Sequence, residues 1–272
     1  MNSLTSHRFR RIEESPATVL TGLSNTTPLY LHARNRMAEM AVFTTLSDSF
    51  QSDDGWLSFP EQGMNLSLDA MQHLHRVAVN HPTRPSLALE IATPGEPRAV
   101  SFAAIPSLSD LEAFRGALDL HPSQPLTSCQ YHDWRASHLI RTAACSCCAA
   151  AAETRRKDPG SSPLARILAH SIAERNPLHC RLHSPSFNFA LGITPADLLL
   201  DKGRIAITGD DRASMVEIDP GLCHSLLLHR EEIDAEPMTV LRACNSLGAT
   251  ELVIATPGHA GYDRWLEFCR VV

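Results

Sequence analysis

Short stretches of alternating or continuous apolar residues, separated by Gly, Pro and Asn, run through the first half of the chain. Such stretches are typical of β-strands with one or both faces buried. The pattern predicts five strands, with the sequences GWLSF, NLSLD, LHRVAV, SLALEIA and AVSFAA. We predict that the stretch SDLEAFRGAL, which comes next, forms a helix that closes this first unit.

The second half of the chain repeats this kind of pattern. Its apolar stretches predict six strands, with the sequences DLLLD, GRIAI, SMVEID, SLLLH, TVLRA and ELVIA. A final helix is predicted for YDRWLEFC. The number of short strands and turns favours a mostly antiparallel sheet over a doubly wound one.

Two further stretches have apolar residues at helical spacing. The stretch LHARNRMAEMAVFTTL predicts a helix with Met37, Met40, Ala41 and Phe43 or Thr44 on one side. The stretch LARILAHSIAER follows Ser162 and Pro163, which together are a typical helix start. Its apolar stripe consists of Leu164, Ile167, Leu168 and Ile172.

Two segments of the chain are similar to each other at an offset of 153 residues. SLALEIATPGEPRAVSF aligns with TVLRACNSLGATELVI, and Gly95 falls on Gly248. In both copies an aromatic residue, Phe114 or Trp265, stands eight residues after a proline. We interpret this as an internal duplication of one α+β unit. The alternative is that unrelated hairpins share turn chemistry.

The predicted fold class is therefore α+β, with two tandem repeats that each consist of a mostly antiparallel β-sheet packed with helices. Residues 1–28 are expected to be a flexible tail. The first repeat spans 29–120, and a connector with an Ala- and Cys-rich helix spans 121–162. The second repeat spans 163–272.

Composition narrows the class of protein. The chain has 272 residues, 43% of them apolar and 20% charged, with a net charge of −6, which argues against a nucleic-acid binder. It shows no signal-peptide core and no run of eighteen apolar residues, so we expect neither secretion nor membrane insertion. Eight cysteines without a disulfide spacing pattern predict reduced thiols and a cytoplasmic location.

No standard catalytic signature is present in the sequence. We find no G-x-S-x-G, G-x-x-x-x-G-K-[ST], G-x-G-x-x-G or H-E-x-x-H motif. An unrelated hydrolase or transferase would need catalytic groups that the sequence does not display. The chain is therefore expected to be a binding or carrier protein rather than a dedicated enzyme.

Several of these stretches together resemble the cytosolic hemin-transport and hemin-degrading protein family. RPSLALEIATPGEPRAVSF and SDLEAF resemble its first half, while KGRIAITG, SLLLHREEI and YDRWLEF resemble its second. The resemblance covers about residues 30–120 and 165–272. It implies a duplicated α+β fold, haem as the ligand, and a role in haem utilisation and iron metabolism.

The chain departs from that family at the position of its axial iron ligand. The family has I-H-T-G where this chain has Ile207 and then Thr208, and threonine is not a usual haem ligand. The resemblance places Arg230 at a family arginine and so implies contact with a haem propionate. His224 is the candidate replacement iron ligand, and His229 is a further candidate.

Plainer interpretations of these residues stay open. Period-two alternation in CHSLLLHREE places His224 and Arg230 on one face of a strand and His229 on the other. The residues by themselves favour a plain interpretation of His224, as a histidine at the strand edge bonded to backbone or water. Without the resemblance, they also favour Arg230 as a surface partner of Glu231 or Glu232.

Three other groups of residues carry weaker indications of a metal site. His179 and His183 would share a face if PLHCRLH were a helix, but the preceding Asn-Pro favours an extended segment just as well. Cys145, Cys147 and Cys148 lack the C-x2-C spacing of thiolate sites, so we interpret them as ordinary thiols. His73 and His75 are interpreted as a solvated or partly buried pair on a strand.

Two hypotheses follow. The first is a cytoplasmic haem-binding protein that sequesters, delivers or degrades haem. The second is a non-haem binding or regulatory module, with another small apolar ligand, on the same scaffold. An exposed sheet edge in each unit predicts a homodimer.

Overall fold

The computed structural model describes nine segments of the chain, namely residues 6–23, 28–46, 51–53, 55–81, 85–104, 108–139, 146–233, 235–259 and 261–270. These residues form eighteen β-strands, six α-helices and two short 3-10 turns. The strands pair antiparallel, which confirms the predicted α+β class. Within these segments, no helix combines the length and apolar character needed to cross a membrane.

The chain divides into two compact units. Unit 1 consists of residues 1–33, 42–141 and 185–188, and unit 2 consists of residues 34–41, 142–184 and 189–272. The division falls inside β3 (Ala38–Thr45) and β12 (Phe187–Ile193), and it also separates Arg34 from the rest of the preceding strand.

The other elements of unit 1 come from the first half of the chain. They are β1 Ser6–Ile12, α1 Pro16–Leu23, β2 Pro28–Arg34, β4 Gln51–Asp53, β5 Trp56–Phe59, β6 Met64–Ser67, β7 His73–Asn80, β8 Ser86–Thr93, β9 Glu96–Ala104, α2 Leu108–Asp119, β10 Ser123–Leu126 and α3 Ser128–His138. Six strands pair in the order β10-β1-β7-β8-β9-β2, and β4, β5 and β6 form a separate meander.

The other elements of unit 2 come from the second half. They are α4 Ser146–Lys157, α5 Pro163–Ala173, β11 Leu178–Ser184, β13 Pro195–Asp201, β14 Arg204–Gly209, β15 Ser214–Ile218, β16 Ser225–Ile233, β17 Glu236–Cys244, β18 Thr250–Pro257 and α6 Tyr262–Arg270. Strands β16, β17, β18 and β11 pair in that order, and β13, β14 and β15 form a meander.

The same succession of elements occurs twice along the chain. Helix α1, strands β2 and β3, two three-stranded meanders and α2 have their counterparts in α5, β11, β12, two further meanders and α6. The aligned turn glycines Gly95 and Gly248 both adopt positive φ angles, 81° and 79°. The aromatic residues of the two closing helices, Phe114 and Trp265, are both fully buried. An internal duplication predicts this correspondence.

The helix predicted for residues 31–46 is wrong, because this segment forms β2 and β3. The side chain of Asn35 makes the turn between them, where its Oδ1 accepts hydrogen bonds from the backbone N–H groups of Met37 at 3.0 Å and Ala38 at 2.9 Å. Such Asx turns compete with helix formation. The apolar spacing of this stretch therefore reflects two strands with buried residues on either side of a turn.

The flexible tail expected at residues 1–28 is also incorrect where the structure describes it. Strand β1 pairs with both β7 and β10. Helix α1 buries Val19, Leu20 and Leu23. Arginines at positions 8, 10 and 11 interrupt the apolar pattern of β1, although Phe9 and Ile12 of this strand are buried. Residues 1–5 and 24–27 lie outside the described segments.

Candidate functional site

His229 lies on one face of β16 and is held by charged neighbours. Its Nε2 is 2.9 Å from Oε2 of Glu231, and Nη2 of Arg242 donates to the same oxygen at 3.0 Å. The hydrogen bond from His229, followed by those from Arg242, lowers the pKa of Glu231. Because this ring nitrogen already has a partner, coordination of iron through Nε2 would have to break the contact with Glu231.

Arg230 lies on the opposite face of β16, against helix α6. Its guanidinium carbon is 4.3 Å from the ring centre of Tyr262, a cation–π distance. Its Nη2 is 3.6 Å from Oδ1 of Asp263. The predicted alternation of His229 and Arg230 across the strand agrees with these contacts. About half of the Arg230 side chain is exposed, so it is accessible to an anionic group.

His224 precedes β16 and lines a cavity of unit 2 together with Arg36, Cys148, Arg155, Asn245 and Glu251. Its backbone N–H donates to the carbonyl of Cys244 at 2.8 Å, which fixes this end of the strand. The cavity has a volume of about 110 Å³. Sites for drug-sized ligands have volumes of roughly 300–1,000 Å³, so this cavity is too small to enclose a porphyrin.

Thr208 lies in a different sheet of unit 2. It is a half-buried residue of β14 and pairs with Asp197 on β13 and Met215 on β15. The structure therefore does not bring the four predicted haem-binding residues together. Each has different surroundings: Thr208, His224, His229 and Arg230.

A cluster of histidine and tryptophan rings lies in unit 1, where helix α3 packs against β7. His73 and His75 come from β7, whereas Trp134 and His138 come from α3. The ring centre of Trp134 is 4.1 Å from that of His75, 4.7 Å from that of His138 and 5.6 Å from that of His73. The rings of His73 and His138 are 5.7 Å apart. We call these four residues the His–Trp cluster.

Burial keeps two imidazoles of the His–Trp cluster neutral. Burial, with smaller contributions from the charges of His73 and Arg11, lowers the pKa of His75 to about 4. Burial, Arg11 and His138 lower the pKa of His73 as well. A neutral imidazole retains a nitrogen lone pair for a metal or a hydrogen-bond donor.

His73 and His75 differ in accessibility. His75 is 1% exposed, and its Nδ1 has no hydrogen-bond partner in the structure. His73 is half-buried and lines a cavity of about 290 Å³ with Arg11, Glu13, Glu14, Gln72 and Gln124. Of the two, only His73 can reach a ligand in that cavity. The interpretation as a partly buried pair therefore fits His73, whereas His75 is fully buried.

Helix α3 is fixed above β7 by a buried polar contact. The hydroxyl of Tyr131 donates a hydrogen bond to Oε2 of Glu90, and Arg98 lies 3.5 Å from the other carboxylate oxygen. The ring of Tyr131 stacks on Phe9 with 4.1 Å between ring centres. Burial, together with Glu90, raises the pKa of Tyr131. Trp134 and His138 follow on the same helix and are positioned by this anchor.

The described residues contain no group of three or more His, Cys, Asp and Glu side chains that could hold a metal ion. His179 and His183 lie on strand β11, not on a helix. Four residues along a strand span about 13 Å, which is too far for one metal ion. Cys148 is a half-buried residue of α4 that forms no disulfide, and Cys145 lies outside the described segments. Helix α4, Ser146–Lys157, lies within the segment that we interpret as a connector.

Sequence patterns did not predict the His–Trp cluster, because half of it comes from α3. A sequence signal for this helix does exist. Thr127 and Gln130 form a capping box at its start, in which Thr127 Oγ1 accepts from the backbone N–H of Gln130 at 3.2 Å. Trp134 and His138 are spaced by four residues and so share one face of the helix.

Comparison with known proteins identifies the fold. No family model and no curated protein sequence matches the chain. The solved structure of the heme degrading enzyme ChuS from Escherichia coli O157:H7 matches with a TM-score of 0.71 and 10% sequence identity, over 96% of this chain and 86% of that one. Holo-PhuS, a heme-binding protein from Pseudomonas aeruginosa, matches with a TM-score of 0.66 and 11% identity, over 96% and 86% of the two chains.

Proposed function

We propose that this protein binds haem and acts as a carrier. The support for haem as the ligand is the fold, which matches the described heme-binding and heme-degrading proteins over nearly the whole chain. The observation that carries the proposal within this chain is the neutral, half-buried imidazole of His73 beside a cavity.

The donor set of unit 1 fits a haem iron better than a bare metal ion. A protein site for a bare ion needs three or four donors, whereas a haem iron already has the porphyrin nitrogens and needs one axial donor. His73 can supply that donor. His75 lies too deep to reach a ligand, and Trp134 and His138 hold the His73 ring from the side.

The cavity beside His73 also offers groups for the acidic edge of a porphyrin. Arg11 can pair with a propionate, and Gln72 and Gln124 can donate hydrogen bonds. Glu13 and Glu14 oppose this, but Glu14 is already paired with the imidazole of His121 at 2.5 Å. At about 290 Å³ the cavity is at the lower limit for such ligands, so it encloses only part of a porphyrin.

The family resemblance implies a haem site at Thr208, His224, His229 and Arg230, but these four residues lie in different surroundings and do not share one cavity. Binding there is less favourable because His229 and Arg230 must first leave Glu231 and Tyr262. A bound haem would supply iron chemistry that, with oxygen and a reductant, opens the porphyrin ring. Chain residues at either site provide a donor and ion pairs, which is what a carrier needs.

A titration with ferric haemin, followed by the Soret band, tests the proposal. We expect one saturable equivalent for the natural protein and affinity at least about tenfold weaker for His73→Ala. His224→Ala and Arg230→Ala are expected to bind as the natural protein does, and His179→Ala, at an exposed strand position, is the control. If only His224→Ala or Arg230→Ala weakens binding, the donor lies in unit 2. Absence of a saturable shift rejects haem altogether.

Absence of a saturable Soret shift would favour the second function, a non-haem binding or regulatory module on the same scaffold. Thr208 at the family histidine position and the small cavity beside His224 are the observations that speak for it. A stable Soret band after addition of ascorbate in air supports a carrier, and decay of the band supports degradation.

We further propose a cytoplasmic location and a homodimer. Sedimentation analysis tests the homodimer.

A further inference from the structure

The cavity beside His224 in unit 2 has a wall of basic side chains. Cys148, Ala152 and Arg155 come from one face of α4, since they are spaced by four and three residues. Arg36 provides a second guanidinium group, and Glu251 provides one carboxylate. The two guanidinium groups and the one carboxylate of this wall sum to one positive charge.

The wall of this cavity is rigidly built. Nε and Nη2 of Arg156, the neighbour of Arg155, donate to the buried carboxylate of Asp219 at 2.9 Å and 2.8 Å. The Asp219 carboxylate also accepts from the backbone N–H of Gly221 at 2.9 Å. A Cβ atom at Gly221 would lie 2.9 Å from the carbonyl of Ala152, so helix and loop are in close contact. These contacts hold helix α4 against the loop that leads to His224.

One buried hydrogen-bond donor and one buried acceptor in this wall lack a partner. Nε of Arg155 is a donor without an acceptor, while its Nη2 donates weakly to the carbonyl of Gly221 at 3.5 Å. Oε2 of Glu251 is an acceptor without a donor, while its Oε1 accepts from Nδ2 of Asn245 at 2.6 Å. Buried polar atoms are rarely left unpaired, and both side chains line the cavity, so a group bound there could complete the hydrogen bonding of both.

We propose that this cavity binds a small oxyanion that also carries a hydroxyl group, of which hydrogen phosphate is the simplest and an α-hydroxycarboxylate the next. The oxygens of the anion accept from Arg155 and Arg36, and its hydroxyl donates to Glu251. A volume of about 110 Å³ exceeds that needed for one water, roughly 10–15 Å³, but suits only a few heavy atoms. The site is separate from the proposed haem site and does not depend on haem.

Isothermal titration calorimetry of the haem-free protein with inorganic phosphate at pH 7, in a buffer without other oxyanions, tests binding. We expect one saturable equivalent, weakened at least about tenfold by Arg155→Gln. Arg181→Gln, at an exposed position of β11, is the matched control and should bind as the natural protein does. Equal weakening in both variants would indicate a general effect of charge and overturn the proposal.

Two leucine variants distinguish binding inside the cavity from general attraction to a basic surface. Ala152→Leu fills the cavity without changing any charge and should abolish phosphate binding, whereas Ala151→Leu, at an exposed position of the same helix, should leave it unchanged. Circular dichroism of both variants checks that they fold. Binding that persists in folded Ala152→Leu protein, or no saturable heat with the natural protein, overturns the proposal.

The role of Glu251 is tested by comparing phosphate with sulfate, which carries no hydrogen at pH 7. A buried acceptor disfavours an analogue that cannot donate to it, so sulfate should bind at least about tenfold more weakly. Glu251→Gln should remove this discrimination. Lactate should likewise bind more tightly than acetate. Equal affinity for phosphate and sulfate in the natural protein contradicts the assigned role of Glu251.

Discussion

The hydroxyl of Tyr131 donates a hydrogen bond to the carboxylate of Glu90, a residue that is only 5% exposed. The two residues are 41 positions apart, and their contact ties α3 to strand β8. Arg135 lies one helical turn further on, where its Nη1 donates to the Tyr131 oxygen at 3.4 Å. This contact sets the position of α3 and therefore of Trp134 and His138.

Replacement of Tyr131 by Phe should lower the free energy of unfolding by about 1–3 kcal/mol, because a buried carboxylate loses its donor. Urea denaturation at pH 7 measures this. Tyr262→Phe, which keeps the ring beneath Arg230, is the control and should change stability by less than about 0.5 kcal/mol. Equal stability of Tyr131→Phe and the natural protein would show that the hydrogen bond contributes nothing to stability.

Stability should depend on the protonation of His75. Its pKa in the folded protein, about 4, lies below the value of 6.5 for an unfolded histidine, so the unfolded chain takes up the proton first as pH falls. The contribution is fully present above pH 6.5 and is lost between pH 6.5 and 4, by as much as about 3 kcal/mol.

Denaturation of the natural protein and of His75→Gln between pH 7.5 and 4 isolates this effect. The natural protein should lose stability relative to the variant as the pH falls. His179→Gln, at an exposed position, should follow the natural protein throughout. Parallel curves for the natural protein and His75→Gln would mean that the buried imidazole does not set the pH dependence.

Gly221 should not tolerate a side chain. An alanine Cβ there would lie 2.7 Å from Nε of Arg156 and 2.9 Å from the carbonyl of Ala152, and such overpacking costs about 1–3 kcal/mol. Gly116, in helix α2, has no atom within 4 Å of a Cβ. Gly116→Ala should therefore stabilise the protein by about 0.5–1 kcal/mol. Thermal denaturation of the two variants is expected to give shifts of opposite sign.

The turn glycine Gly248 is required for its backbone conformation alone. Its φ angle is 79°, and a Cβ would meet no atom within 4 Å. Gly248→Ala should cost about 1–2 kcal/mol from backbone strain. Gly192→Ala has equal space but no positive φ, so urea denaturation should find it neutral or slightly stabilised. A neutral Gly248→Ala would show that this turn accommodates alanine by relaxing.

The sequence predicted the elements whose patterns are local. The strands β5 to β9 and β13 to β18, the helix after Pro163 and the hairpins with Gly95 and Gly248 were all predicted, and the structure contains them. The helix predicted for residues 31–46 failed because the side chain of Asn35 makes a turn. The tail predicted for residues 1–28 failed because arginines interrupt the apolar pattern of β1. In both cases partners distant in the sequence bury the segment.

By itself, the sequence determined the period-two alternation that separates His229 from Arg230, because strand geometry decides which way neighbouring side chains point. Only the tertiary structure brought His73 and His138 together, since these residues are 65 positions apart and no local pattern links two elements at that separation. The same holds for Arg155 and Glu251, which line one cavity from a helix and a distant strand. The local periodicity of the sequence specifies which residues share a face of a strand or helix. Packing between these elements decides which faces contact each other.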